Sequence, residues 1–200
     1  KEEMAAFRDG GLERELEALN LAGTRPVRVW VEDEGRLGLQ PITRRAWGLP
    51  GQGIVTSVDP RYEWTWVYAA LQVGGEGCEF LYAPELNQAG AKVFLEQSSQ
   101  REPGAIHVVI WDGAGAHPAD GSALVPENVR LIPLPAYCPE LNPVEKLWDV
   151  VKDAVSNIRH ADLDALEEGI TQVLRTYWED ATRVIRLIGR GWLLSSVNAS

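Results

Sequence analysis

Three stretches of the sequence set acidic side chains where the backbone would offer them to a ligand. Val27-Arg28-Val29-Trp30-Val31-Glu32-Asp33-Glu34 alternates as a strand and ends in an acidic cluster. His107-Val108-Val109-Ile110-Trp111-Asp112 reads as a buried strand closing on an acid, and Gly113-Ala114-Gly115-Ala116-His117 follows as a small-residue turn that leaves the Asp112 carboxylate approachable. Leu134-Pro135-Ala136-Tyr137-Cys138-Pro139-Glu140-Leu141 is a proline-stiffened loop, and Asn142-Pro143-Val144-Glu145-Lys146-Leu147-Trp148 opens an amphipathic helix with Asn142 as N-cap and Pro143 at the first helical position. Glu145 then falls in the first turn, beside the positive end of the helix dipole. Acids so placed, if they converge, supply the hard oxygen donors that suit Mg²⁺ or Mn²⁺.

Two of the three acids have a local alternative. Asn142 and Glu145 stand at the spacing of a capping box, which would turn the Glu145 carboxylate back onto the backbone. Glu32 and Glu34 flank Asp33, but strand alternation puts Asp33 on the face of Val29 and Val31, opposite Glu32. Glu140 competes with Glu145 from the loop before the cap.

Trp111 to His117, together with Leu134 to Trp148, resembles the DDE transposases of the Tc1/mariner and IS630 superfamily, and Val31-Glu32-Asp33-Glu34-Gly35-Arg36-Leu37-Gly38 looks like the first acidic motif of the IS630 branch. The match spans roughly residues 27 to 160. The resemblance implies an α/β, RNase H-like fold with a mixed sheet of about five strands flanked by helices. It implies the catalytic core of a DNA transposase, with Asp33, Asp112 and Glu145 holding Mg²⁺ or Mn²⁺ for strand cleavage and strand transfer. Glu34, His117, Asn142, Arg36, Arg44 and Arg45 stand as supporting or substrate-contacting residues, with DNA as partner and a homodimer as the assembly on paired transposon ends. The sequence departs from the family after His117, where Pro118-Ala119-Asp120-Gly121 lacks the basic residues that often follow.

The elements that must position these acids are readable from periodicity. Val27 to Asp33, Gly53 to Val58, Tyr62 to Val73, Cys78 to Tyr82, Ala105 to Asp112 and Val129 to Pro133 read as strands. Asn87 to Gln100, the stretch from Pro143 carrying Val144, Leu147, Trp148, Val151, Val155 and Ile158, and then Ala161 to Trp178 and Ala181 to Ile188 read as helices. Trp64, Trp66 and Tyr68 alternate as a sheet face packed on core, in preference to a base-stacking platform. Residues 1–24 read as the helical tail of a linker, with Leu12, Leu16 and Leu19 on one face; 25–160 as the catalytic core; and 161–200 as helices packed outside the sheet. The family's helix-turn-helix DNA-binding module has no counterpart in residues 1–24.

Two hundred residues with 45% hydrophobic and 24% charged content suit one globular domain. No apolar run is long enough to span a bilayer, and Cys78 and Cys138 lack metal-ligand or redox spacing, as expected of reduced thiols in a cytoplasmic protein. The net charge of −10 opposes phosphate binding, although bound cations reverse the field at an acidic site and Arg36, Arg44 and Arg45 cluster after the first motif. Two other readings stand beside the transposase core. One is an inactive remnant that binds DNA or protein, and the other a two-carboxylate glycoside hydrolase.

Overall fold

The computed structural model describes residues 2–199 apart from 22, 24, 41, 46, 48, 50, 52–54, 56–60, 114, 116 and 190. β1 (Val27–Gly38), β2 (Trp64–Gln72) and β3 (Cys78–Ala83) form an antiparallel meander. β4 (Ile106–Trp111) and β5 (Val129–Pro133) run parallel to β1, so the sheet order is β3-β2-β1-β4-β5. Every residue of β4 is buried, as its unbroken apolar run requires of an inner strand covered on both faces.

β1 is longer than its alternation suggests. It does not end at the acids but continues to Gly38, pairing Asp33 with Ala69 and Gly38 with Trp64. What ends at the level of the acids is its other neighbour, β4. The expected strand over 53–58 lies outside the described residues except Val55, which has no regular structure. The expected strand over 62–73 is β2.

α1 (Glu2–Ala6) and α2 (Leu12–Ala18) are separated by a kinked turn in which Gly10 takes φ +95°, a conformation open to glycine. These residues are packed on the body rather than free of it. Leu12 is fully buried in the larger core cluster, and the Phe7 ring meets Trp192 edge-on at 6.2 Å. α3 (Gln88–Gln100) is capped by Asn87, whose Oδ1 accepts from the Gly90 amide at 2.9 Å. It covers one face of the sheet, packing Phe94 and Leu95 with Trp30, Tyr68, Val109 and Trp111.

The opposite face, bearing Val29, Val31, Val108 and Ile110, is covered by α4 (Val144–Val155), α5 (Leu163–Glu179) and α6 (Ala181–Ile188). Val144, Leu147, Trp148, Val151 and Val155 of α4 are buried, so its helical periodicity is spent on this face. α7 (Trp192–Ala199) was not predicted from the sequence; it is short and buries only Leu193 and Ser196, which leaves little periodic signal. No helix among the described residues is long and apolar enough to cross a membrane.

Candidate active site

The parallel register of β1 and β4 brings two acids together. Val31 pairs with Ile110, and carrying that register two residues further sets Asp33 beside Asp112, the residue that follows β4. Both lie on the α4 side of the sheet, since Val29, Val31, Val108 and Ile110 alternate into the cluster that α4 covers.

A chain of hydrogen bonds carries α4 to the same place. The Leu134 amide donates to the Trp111 carbonyl at 2.7 Å, tying the loop after β5 to the end of β4. Pro139–Leu141 then forms a single tight helical turn. Asn142, almost fully buried, uses its whole amide: Nδ2 donates to the Glu32 carbonyl at 2.6 Å, and Oδ1 accepts from the Val144 amide at 3.1 Å. Asn142 therefore caps α4 and fastens it to β1 in one step. Its own backbone N–H goes to the Pro139 carbonyl at 2.9 Å, so the returning arm of a capping box is already taken. The Glu145 carboxylate instead lines a pocket of about 360 Å³ with Asp33, Asp112, Asn142 and the loop from Leu134 to Pro139.

Trp148, one turn beyond Glu145, donates its indole Nε1–H to Asp33 Oδ2 at 2.8 Å. Its ring lies against Gly35, where an added Cβ would stand 2.9 Å from ring carbons. Glycine at 35 is what lets the indole reach the acid. Burial first, and then the Glu145 charge, push the Asp33 carboxyl up to about 7, against the opposing Trp148 hydrogen bond. The pocket thus holds an acid that takes up a proton near neutrality unless a cation stands beside it.

Glu32 and Glu34 alternate to the other face of β1. The Glu34 carboxylate meets His117 Nε2 at 2.6 Å, while His117 Nδ1 faces the Asp112 carbonyl at 2.7 Å and Asp112 Oδ1 at 3.2 Å. The imidazole stacks on Trp111 with centroids 4.1 Å apart and planes 9° apart. Burial lowers the His117 value, but the Glu34 hydrogen bond and charge, with those of Asp112, outweigh it and leave the ring above its ordinary range. Glu32 is fully buried and raised well above an ordinary carboxyl, first by desolvation and then by Glu34, Asp33 and Asp112.

The pocket does not include the arginines. Arg36 lies over the Trp64 and Trp66 rings at 5.4 and 6.0 Å from their centroids. Arg44 pairs with Asp149 at 3.3 Å and Asp153 at 3.0 Å along α4, and Arg45 is exposed. Two contributors escaped the sequence reading. In the sequence Trp148 is the last residue of the third motif and an apolar position of α4, with nothing to mark its bond to Asp33, and nothing in Glu32's local sequence marks it as wholly buried. The signal for Trp148 was its place one helical turn after Glu145, on the same face.

A profile of the DDE superfamily endonucleases matches residues 28–167. An uncharacterised protein of Sinorhizobium fredii, y4pE/y4sA, is 32% identical over 91 residues, covering 45% of this chain and 67% of the relative. Among solved structures, the Mos1 transposase paired-end complex with the left transposon end superposes with a TM-score of 0.61 at 18% identity, over 97% of this chain and 61% of that one. The Mos1 mariner paired end complex with Mn gives 0.58 at 17%, over 98% and 63%. The chain thus spans less than two thirds of those two solved transposase chains, and the likeness gives its fold as RNase H-like.

Proposed function

Because the chain belongs to the DDE superfamily of endonucleases, we propose that it is the catalytic core of a DNA transposase whose metal-holding carboxylates are Asp33, Asp112 and Glu145. The observation that carries this reading is the meeting of three acids from β1, the end of β4 and the first turn of α4 in one pocket.

The donor set suits Mg²⁺ or Mn²⁺. All three groups offer hard oxygens, and the raised Asp33 carboxyl beside Glu145 is an electrostatic demand for a cation. Two such ions, when bound, activate the attacking water or 3′-hydroxyl and steady the leaving oxygen of the phosphodiester. The chain's own residues set the geometry. Trp148 Nε1–H fixes one Asp33 oxygen and leaves the other for the pocket. Asn142 holds the start of α4 to β1, so Glu145 keeps its distance from Asp33. His117 bonds the Asp112 carbonyl and so steadies the turn that carries that acid. DNA is the substrate, and two copies acting on paired ends form the working assembly.

The test is a DNA nicking and strand-transfer assay with Mg²⁺ or Mn²⁺. Asp112→Asn should leave the circular dichroism spectrum and melting temperature near wild type while abolishing metal-dependent cleavage. Undiminished cleavage in that variant would remove Asp112 from the site. A fold-preserving protein with no metal-dependent cleavage in any form would favour the remnant reading.

A further inference from the structure

We propose that Glu32, Glu34 and His117 form a second cation site, on the face of β1 opposite Asp33, suited to a borderline divalent ion of the Zn²⁺ class. Each of the three offers one ligand atom, and these atoms lie within 4.8 Å of one another. Among the described residues neither oxygen of Glu32 has a hydrogen-bond partner, although the residue is fully buried and aimed into this cluster. An unpaired buried carboxylate is among the most expensive arrangements a protein interior can hold, and a neighbouring cation removes that cost.

The tautomer of His117 points the same way. Its Nδ1 faces the Asp112 carbonyl at 2.7 Å, and a carbonyl only accepts, so Nδ1 carries the proton. Nε2 then presents its lone pair toward Glu34 Oε1 at 2.6 Å, where two acceptors meet unless something positive lies between them. Without an ion, a proton on the ring answers for Glu34 and Glu32 needs a second proton of its own. A divalent ion answers for both. The Nδ1–H to carbonyl bond is also the outer contact that metal-bound histidines make, fixing the ring so that the other nitrogen can ligate. Stacking on Trp111 holds the plane of the ring.

Two carboxylates and one imidazole form a mixed oxygen and nitrogen set, which suits Zn²⁺ better than Mg²⁺. The site is separate from the triad pocket, whose lining includes none of these three residues. Its consequence is mechanical. An ion there would bind β1 through Glu32 and Glu34 to the turn that follows β4 through His117, and so would pin the chain that carries Asp112.

The test is Zn²⁺ titration by calorimetry on the full chain, without DNA, in an Asp33→Asn/Glu145→Gln background that disables the triad but keeps Asp112 against His117. That protein should bind about one Zn²⁺ per chain, and Co²⁺ in its place should give visible ligand-field bands more intense than those of the hydrated ion. Adding Glu32→Gln should weaken binding by about tenfold or more, while the melting temperature in chelator stays level because the amide keeps the size and shape of the buried carboxyl. If Glu32→Gln lowers the melting temperature, Glu34→Gln replaces it as the ligand deletion. Absence of Zn²⁺ binding in the triad-disabled protein, or binding unchanged by both deletions, overturns the proposal and leaves the cluster held by protons. Either result is independent of whether the chain cleaves DNA.

Discussion

At the scale of single residues, the arrangement around Glu145 separates capping from chemistry. Asn142 provides the cap and the tie to β1, whereas Glu145 contributes to neither. Asn142→Ala should therefore cost about 1–2 kcal/mol in urea unfolding, through loss of the cap and of the buried bond to the Glu32 carbonyl. Glu145→Gln should stay within about 0.5 kcal/mol of wild type in the same experiment while losing cleavage. A large stability loss from Glu145→Gln with cleavage retained would return that residue to a structural role. Gly35 offers a third test. Its missing side chain is the seat of the Trp148 ring, so Gly35→Ala should cost about 1–3 kcal/mol by overpacking and should lower cleavage by shifting the indole off Asp33. The three acids could be proposed from the sequence because their neighbours are so particular. The Trp148 to Asp33 bond could not, because it depends on a helix and a strand 115 residues apart in sequence closing on each other, and neither could the burial of Glu32, whose carboxylate meets His117 on the other face of β1.

At the scale of elements, the site depends on the β1–β4 register, and that register is held at its other end by a buried polar pair. Trp30 of β1 donates Nε1–H to His107 Nδ1 of β4 at 3.0 Å, and His107 Nε2 meets the Glu102 carbonyl at 3.1 Å. Nδ1 must accept and Nε2 must donate, so the neutral imidazole is fully satisfied. Burial lowers its pKa below the ordinary value of 6.5, and only partly do the Glu102 bond and charge oppose this. Between that lowered value and 6.5 the unfolded chain binds more protons than the folded one, so this contribution to stability is complete above 6.5 and is lost as pH falls toward the lowered value. Melting temperature should fall from pH 7 to pH 5, and His107→Gln, which can still accept from Trp30, should flatten that fall. A profile unchanged by the substitution would place the titration elsewhere. The order of strands and helices could be read from alternation and periodicity, as the matching bounds of β5 and α6 and the near match of α3 attest. The length of β1 could not, since Glu34 to Gly38 lack an apolar pattern and are held in the strand by β2.

At the scale of the whole molecule, the acids work against the fold until a cation is present. The chain carries a net charge of −10, and the triad joins two strands and a helix that pack around a shared pocket of like charges. An ion held there as proposed would offset that repulsion and link β1, the end of β4 and α4, so the gain would be shared by the entire body. Mg²⁺ is the informative ion because the nitrogen-containing cluster on the other face disfavours it. At a concentration about a hundredfold above Kd, it should stabilise the folded chain by about 2.7 kcal/mol, seen as a clear rise in melting temperature. Asp112→Asn should show no such rise. If wild type also fails to respond, the measurement is repeated with duplex DNA, whose phosphates complete the coordination that a few carboxylates leave open. A rise that appears only with DNA and Mg²⁺ together, and only in wild type, would tie the pocket to its substrate. A rise of equal size in Asp112→Asn would show that the stabilising ion sits elsewhere than the triad.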